Sequence, residues 1–261
     1  MPARAFAAVL IVLAAPVLAS GCMDVLGATS GPTLPQALLW RSVASSIIVE
    51  VDAVEGQAPD PSALELLRTT LATVTGKAVA VTGPTPMPAQ DGSYSPEDLQ
   101  RIHRETAFFG GEGYLDGGRA VLHVLYLDGR TDGDDAGHRT LGRTLMEHGI
   151  VAIFRSSYSS AHRVVDGEWV DATAEMDSHV LLHEVGHALG LVGNGIPQVR
   201  EHHDPDSPGH SRYPESVLYH HPPMTPKQLV TGPVSTTFDV DDLADLAAFR
   251  ARDPALQAMA S

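Results

Sequence analysis

The chain has one cysteine, Cys22, among 261 residues, so it cannot form an internal disulfide, and every cysteine-rich zinc scaffold is excluded. It is also poor in positive charge: 17 Lys and Arg stand against 32 Asp and Glu, for a net charge of −15. Nucleic-acid binding releases counterions from phosphate through a Lys/Arg surface that this composition lacks, so no nucleic-acid partner is expected. No apolar run is long enough to span a bilayer. The longest, residues 5–19 (AFAAVLIVLAAPVLA), falls short of the about 20 residues a membrane helix needs. No internal repeat is visible, and no helical stripe points to self-association, so a monomer is expected. What is present, 43% apolar and 19% charged residues, is the composition of a globular protein.

The N-terminus reads as an address rather than a fold. Arg4 is the only charge before Asp24, and the apolar run ends in Leu18-Ala19-Ser20-Gly21-Cys22. This is a secretory signal pattern. Small residues before a cysteine resemble the bacterial lipobox, although the leucine stands one place further upstream than in that motif. The resemblance implies removal of residues 1–21, lipidation of Cys22, and a tether over 22–44 that holds the protein at the bacterial cell envelope, on the outer membrane or cell surface. Plain secretion after signal peptidase cleavage is the alternative. An exported chain without disulfides must be held by its core or by a metal.

The remainder, 45–261, reads as one domain. Residues 46–52 (SIIVEVD) alternate and are β-branched, which predicts a strand. Residues 61–75 carry Leu64, Leu67, Leu71 and Val74 at helical spacing, between an opening Pro61 and a closing Gly76. Further strands are predicted over 77–82, 119–127 and 149–155, and loops over 83–94 and 128–138. Ser95 and Pro96 open a helix to about Phe109. A long helix is predicted from Thr173 to Leu191, and a closing helix over 238–250 with Asp239 or Asp241 as cap. Residues 192–237 are dense in Gly, Pro and His with no periodicity. Strands and helices interleaved in this way predict a mixed α/β (α+β) domain.

The chemistry concentrates in His183-Glu184-Val185-Gly186-His187. On a helix, residues four apart share a face, so His183 and His187 can present two imidazoles to one ion. Imidazole suits Zn²⁺, and a catalytic zinc takes three protein ligands and keeps one position open. Glu184 is suited to act as the base that takes a proton from the water the metal acidifies. Val180, Leu181, Val185, Ala188 and Leu189 make the rest of the helix apolar, as a buried helix requires. Eight of the 13 histidines fall within 179–221. For the third ligand, Glu201 and Glu215 would serve a thermolysin-like arrangement, but both lie in sequence that does not read as helix.

The segment His183-Glu184-Val185-Gly186-His187-Ala188-Leu189-Gly190-Leu191 resembles the matrixin branch of the metzincin metallopeptidases. In that family a third histidine follows the glycine turn by three residues, whereas here that position is Gly193, with Asn194 beside it. His210-Ser211, followed eight residues after the histidine by Val217-Leu218-Tyr219, is similar to the family's third-ligand and Met-turn segment. The resemblance implies a 17-residue insertion over 193–209, with His210 as third ligand and His202, His203 and Asp204 as alternatives or supporting residues. Residues 190–195 with His202, Asp204 and His210 also resemble a group of predicted bacterial lipoprotein metallopeptidases of metzincin type. Leu218 stands where that family has its turn methionine, an exchange of similar volume. Leu218 and Tyr219 would line the substrate pocket. The resemblance further implies a mixed twisted sheet with an active-site helix and a C-terminal helix, and a strand at the sheet edge over the cleft, here 149–155.

The expectation is therefore a one-zinc endopeptidase that hydrolyses peptides or proteins while tethered by lipid to the envelope membrane. The alternative is a non-catalytic, zinc-stabilised lipoprotein that binds a protein partner. Glu184 favours the enzyme, since a structural site needs no base there. Residues 128–135 (DGRTDGDD) could hold Ca²⁺ but lack EF-hand spacing, and a solvated acidic loop is the simpler reading. His220 and His221 could wall the pocket. His103, His123, His138, His148 and His162 read as solvated or hydrogen-bonded side chains.

Overall fold

In the computed structural model the chain is described over residues 31–89, 92–111, 113–134, 139–220, 229–232 and 234–260. Cys22, the signal segment, His138 and His221 lie outside these residues. Among the described residues no helix is long and apolar enough to cross a membrane.

Helix α1 (Leu34–Leu39) comes first, inside the stretch expected to be tether. Thr33 caps it and forms a reciprocal pair with Gln36. A helix this short does not hold in water. Burial stabilises it: Leu34, Ala37, Leu38 and Leu39 are core residues, none more than 2% exposed. Trp40 stacks on Phe249 and donates to its carbonyl at 3.0 Å, and Lys77 Nζ donates to the carbonyls of Ala37 and Trp40. Among the described residues the core thus takes in 34–39, within the stretch expected to be tether.

Strand β1 (Ser46–Val54), helix α2 (Pro61–Thr75) and strand β2 (Ala78–Met87) form the first β-α-β unit, with β1 and β2 parallel. Asp60 caps α2, and Gly76 ends it in the left-handed region at φ 67°. Strand β3 (Ser93–Tyr94) precedes α3 (Pro96–Thr106), which Ser95 caps through a reciprocal pair with Asp98. Strands β4 (Leu115–Asp116) and β5 (Arg119–Leu127) are antiparallel, and β6 (Arg130–Thr131) pairs with β3. Strands β7 (Gly142–Leu145) and β8 (Ile150–Phe154) form a hairpin. Next come the hairpin β9 (His162–Val165) and β10 (Glu168–Asp171), helix α4 (Thr173–Ala188), and the hairpin β11 (His203–Asp204) and β12 (Ser207–Ser211). Helices α5 (Val240–Arg250), capped by Asp239, and α6 (Pro254–Ala260) close the chain.

The main sheet runs β2-β1-β5-β8-β7, with β4 pairing β5 off this path. The first four strands are parallel, and β7 returns antiparallel to β8. The sheet is therefore mixed, with its core on both faces. One face packs α1, α2, α4 and α5 through Val49, Val51, Leu122, Val124, Val151 and Ile153. The other packs α3 through Leu125, Leu127, Ala152 and Phe154 against Leu99 and Ile102.

One expectation is corrected here. The segment 149–155 supplies β8, which lies inside the sheet; the edge over the cleft is β7, a strand the sequence did not reveal. The turn at residues 146–149, closed by Gly149 at φ 68°, folds β7 back onto β8. Strand β1, predicted from its alternation, has no solvated face. Its residues from Ile47 to Val54 are all buried, because α3 and the segment after it cover the side that carries Glu50 and Asp52.

Candidate metal centre

Helix α4 presents the site. Asp171 accepts from Thr173 N at 2.7 Å at its start, and nearly every residue along it is buried. It ends at Ala188, a turn sooner than the pattern predicted. Gly190 then reverses the chain at φ 84°, where a side chain would strike Pro35 of α1 at 2.8 Å.

His183 and His187 face the same point, with their Nε2 atoms 3.1 Å apart. Two ligands about 2.0–2.1 Å from a tetrahedral zinc lie about 3.3 Å apart, so the pair is spaced for one ion. His210, on β12, completes a triangle: ring centroids are 4.8 Å (His183–His187), 5.2 Å (His183–His210) and 5.0 Å (His187–His210) apart. One ligand nitrogen from each lies within 4.8 Å of the others. His183 Nδ1 donates to the Val217 carbonyl at 2.8 Å, which leaves Nε2 with its lone pair toward the centre. Burial, then repulsion among the rings, pushes the His183 imidazole far below its ordinary pKa and His187 down to about 4; burial and His220 lower His210. All three are neutral at pH 7, as metal ligands must be. The donor set fits zinc.

The other candidates for the third position lie elsewhere. His202 is fully buried against Asp242 (3.2 Å) and Asp245 (3.8 Å), and so ties the insertion to α5. Burial lowers its pKa, but the Arg200 carbonyl and the two carboxylates raise it more, and the net shift is upward. His203 lies 3.7 Å from Glu201, and Asp204 is 3.3 Å from His220 Nδ1. Asn194 does not join the histidine triangle. Its amide nitrogen donates to the carbonyls of Leu191 (2.8 Å) and Gly209 (3.0 Å) and lies 3.1 Å from His187 Nδ1. One side chain thus fastens the turn after α4 to the strand carrying His210.

Leu218 lies beneath α4, where a side chain on Gly186 would meet it at 2.8 Å. Its carbonyl accepts from Ser211 N at 2.9 Å, which holds the segment after His210 against the turn. Leu218 is buried below the helix, whereas Tyr219 and His220 face the cleft.

Glu184 points toward β7. Thr144 Oγ1 donates to its carboxylate at 2.8 Å and lies 2.8 Å from its carbonyl. Burial pushes the carboxyl up to about 7, against the opposing pull of Thr144 and Arg143. A cleft of about 390 Å³ runs between 139–144 and α4, and is lined by Glu184, the three histidines, Tyr219 and His220. Thr144 and Gly142 carry no signal in the sequence, because they reach Glu184 only through tertiary pairing.

The acidic loop shows no calcium-like cluster among its described residues. Asp128 accepts from Tyr94, Asp134 from Thr140, and Asp132 lies 3.6 Å from Arg143, each turned to a separate partner. Asp135 lies outside the described residues.

No protein-family model and no curated protein matches the sequence. Two solved structures resemble the chain. An archaemetzincin from Archaeoglobus fulgidus shares 15% identity at a TM-score of 0.41, over 76% of this chain and 99% of that one. A zinc-dependent peptidase from Methanocorpusculum labreanum shares 14% identity at a TM-score of 0.44, over 77% of this chain and 100% of that one.

Proposed function

We propose that the chain is a zinc-dependent endopeptidase held at the bacterial cell envelope by a lipid on Cys22. The observation that carries the activity is the convergence of three imidazoles on one point, with a buried carboxyl beside them in an open cleft. His183, His187 and His210 hold the ion. When bound there, zinc supplies a Lewis acid that polarises a carbonyl and lowers the pKa of water. Glu184 takes the proton at its carboxylate and passes it to the leaving amine; a pKa raised toward neutrality suits both steps. Thr144 holds that carboxylate in place.

Among the described residues no strand pairs with the outer edge of β7, which borders the cleft. An extended peptide would add to it by main-chain hydrogen bonds, which is how an endopeptidase engages the middle of a chain. Tyr219 wall contacts would select the residue beside the scissile bond. The substrate is a peptide or protein, and the working unit a monomer with one catalytic zinc.

Glu184→Gln tests this reading. The variant is expected to retain the zinc of the α4 site by metal analysis and to lose at least about 100-fold in cleavage of quenched fluorogenic peptides. Full activity in that variant would remove Glu184 from the mechanism.

A further inference from the structure

A second group of ligating side chains sits on the opposite face of the sheet, beneath α3. Glu50 and Asp52 are two residues apart on β1, so both point to that face. The parallel register with β5 sets His123 directly beside Glu50. Their ligand atoms lie within 4.8 Å of one another. All three are buried: Glu50 is 5% exposed, Asp52 2% and His123 not at all. His123 Nε2 is 3.0 Å from Asp52 Oδ2, near the spacing of two ligands in adjacent positions on one ion.

The surroundings orient each ligand. Glu50 accepts from the backbone N–H groups of Phe108 (2.7 Å) and Phe109 (3.0 Å), one on each oxygen, and each oxygen keeps a lone pair. His123 Nδ1 lies 2.8 Å from Nδ1 of His103, which fixes the ring plane from behind. His103 is itself 1% exposed, and its Nε2 has no hydrogen-bond partner among the described residues. The charge does not balance. Among the described residues no Lys or Arg pairs with Glu50 or Asp52. The two carboxyl groups have only backbone, hydroxyl and imidazole partners, so a divalent cation would supply the positive charge that no neighbouring side chain brings.

We propose that Glu50, Asp52 and His123 bind a second divalent metal ion, of the zinc or manganese class, that joins β1 to β5 and to the segment after α3. One imidazole and two carboxylates suit those ions, and two carboxylates neutralise a divalent charge. All three side chains are buried, so the ion is structural and enters as the domain folds. It is independent of the site on α4, which lies on the other face.

Metal stoichiometry tests this. The full chain, its His187→Ala/His210→Ala variant and its Glu50→Gln/Asp52→Asn variant are refolded with excess Zn²⁺ or Mn²⁺, dialysed, and analysed by plasma mass spectrometry. Two ions per wild-type chain and one in the His187→Ala/His210→Ala variant are the expected results. That remaining ion should raise the variant's melting temperature and vanish when Glu50→Gln and Asp52→Asn are added. One ion in the wild type and none in the His187→Ala/His210→Ala variant would overturn the proposal. The stoichiometry of that variant alone decides the matter even if replacing Glu50 and Asp52 prevents folding.

Discussion

Gly142 on the edge strand is the position where one added methyl group should separate metal binding from catalysis. Its backbone is not in the left-handed region, so alanine is tolerated locally. The added Cβ would, however, lie 2.5 Å from Glu184 Cγ and 2.7 Å from Oε1. Carbon atoms in ordinary contact are about 3.5–4.0 Å apart, so the carboxylate or the strand must move by about 1 Å. That shift stretches the 2.8 Å bond from Thr144 beyond hydrogen-bonding range. Misplacing a catalytic group by about 1 Å costs about 100-fold in rate, or about 2.7 kcal/mol of barrier. The three histidines are untouched, so zinc content should stay at one ion in the α4 site, and the melting temperature should fall only as for modest overpacking. The assay is kcat/KM on a quenched peptide, with metal content and a thermal melt on the same preparation. A kcat/KM within threefold of wild type at full zinc occupancy would refute the claim that β7 fixes Glu184.

Three further outcomes are expected. His210→Ala should lose zinc from the α4 site, whereas His202→Ala should weaken it far less and mainly lose about 3–5 kcal/mol of stability, because Asp242 and Asp245 would be left buried without their partner; equilibrium dialysis and urea unfolding separate the two, and the reverse pattern would move the third ligand. Lys77, whose ammonium burial pushes down to about 8, opposes folding below that pH. Between 8 and its unfolded value the unfolded chain holds the proton that the folded chain has released, so stability relative to Lys77→Met should rise by about 2–3 kcal/mol from pH 7 to pH 10; a flat difference by denaturant unfolding would refute this. Cys22→Ser should move the protein from the membrane fraction to the soluble one, and continued sedimentation with membranes would point to another anchor.

The parts of the fold that could be read in the sequence are those whose stability is local. Helix α2 appears between its proline and glycine, α3 at the Ser95 cap, and α5 at Asp239, because capping and periodicity are short-range properties. Helix α1 could not be read, since six residues gain their stability from the core they enter. Strand β7 (GRTL) has little apolar content, and its pairing with β8 makes it a strand. The alternation of β1 marks it as a strand but does not say what covers its polar face. At the centre, His183, Glu184 and His187 are legible from helical spacing, and His210 only through the resemblance of its segment, with Val217-Leu218-Tyr219, to the metzincin third-ligand segment. Thr144, Gly142 and the bridging role of Asn194 depend on contacts between distant segments, which no local pattern records.

The buried pair between His202 and α5 has a consequence for how the protein responds to its metal. The hairpin that delivers His210 is fixed at one end by Asn194 and at the other by Asp242 and Asp245. Occupying the centre and docking the C-terminal helix therefore draw on the same stretch of chain. Two such equilibria must be linked reciprocally: whatever loosens α5 weakens the hold on the ion, and removing the ion loosens α5 to the same degree. Sequence distance hides this linkage, since Asp242 stands 32 residues beyond His210. Helix α5 is in that sense an effector of the metal centre, and damage to it would register in metal affinity as well as in stability.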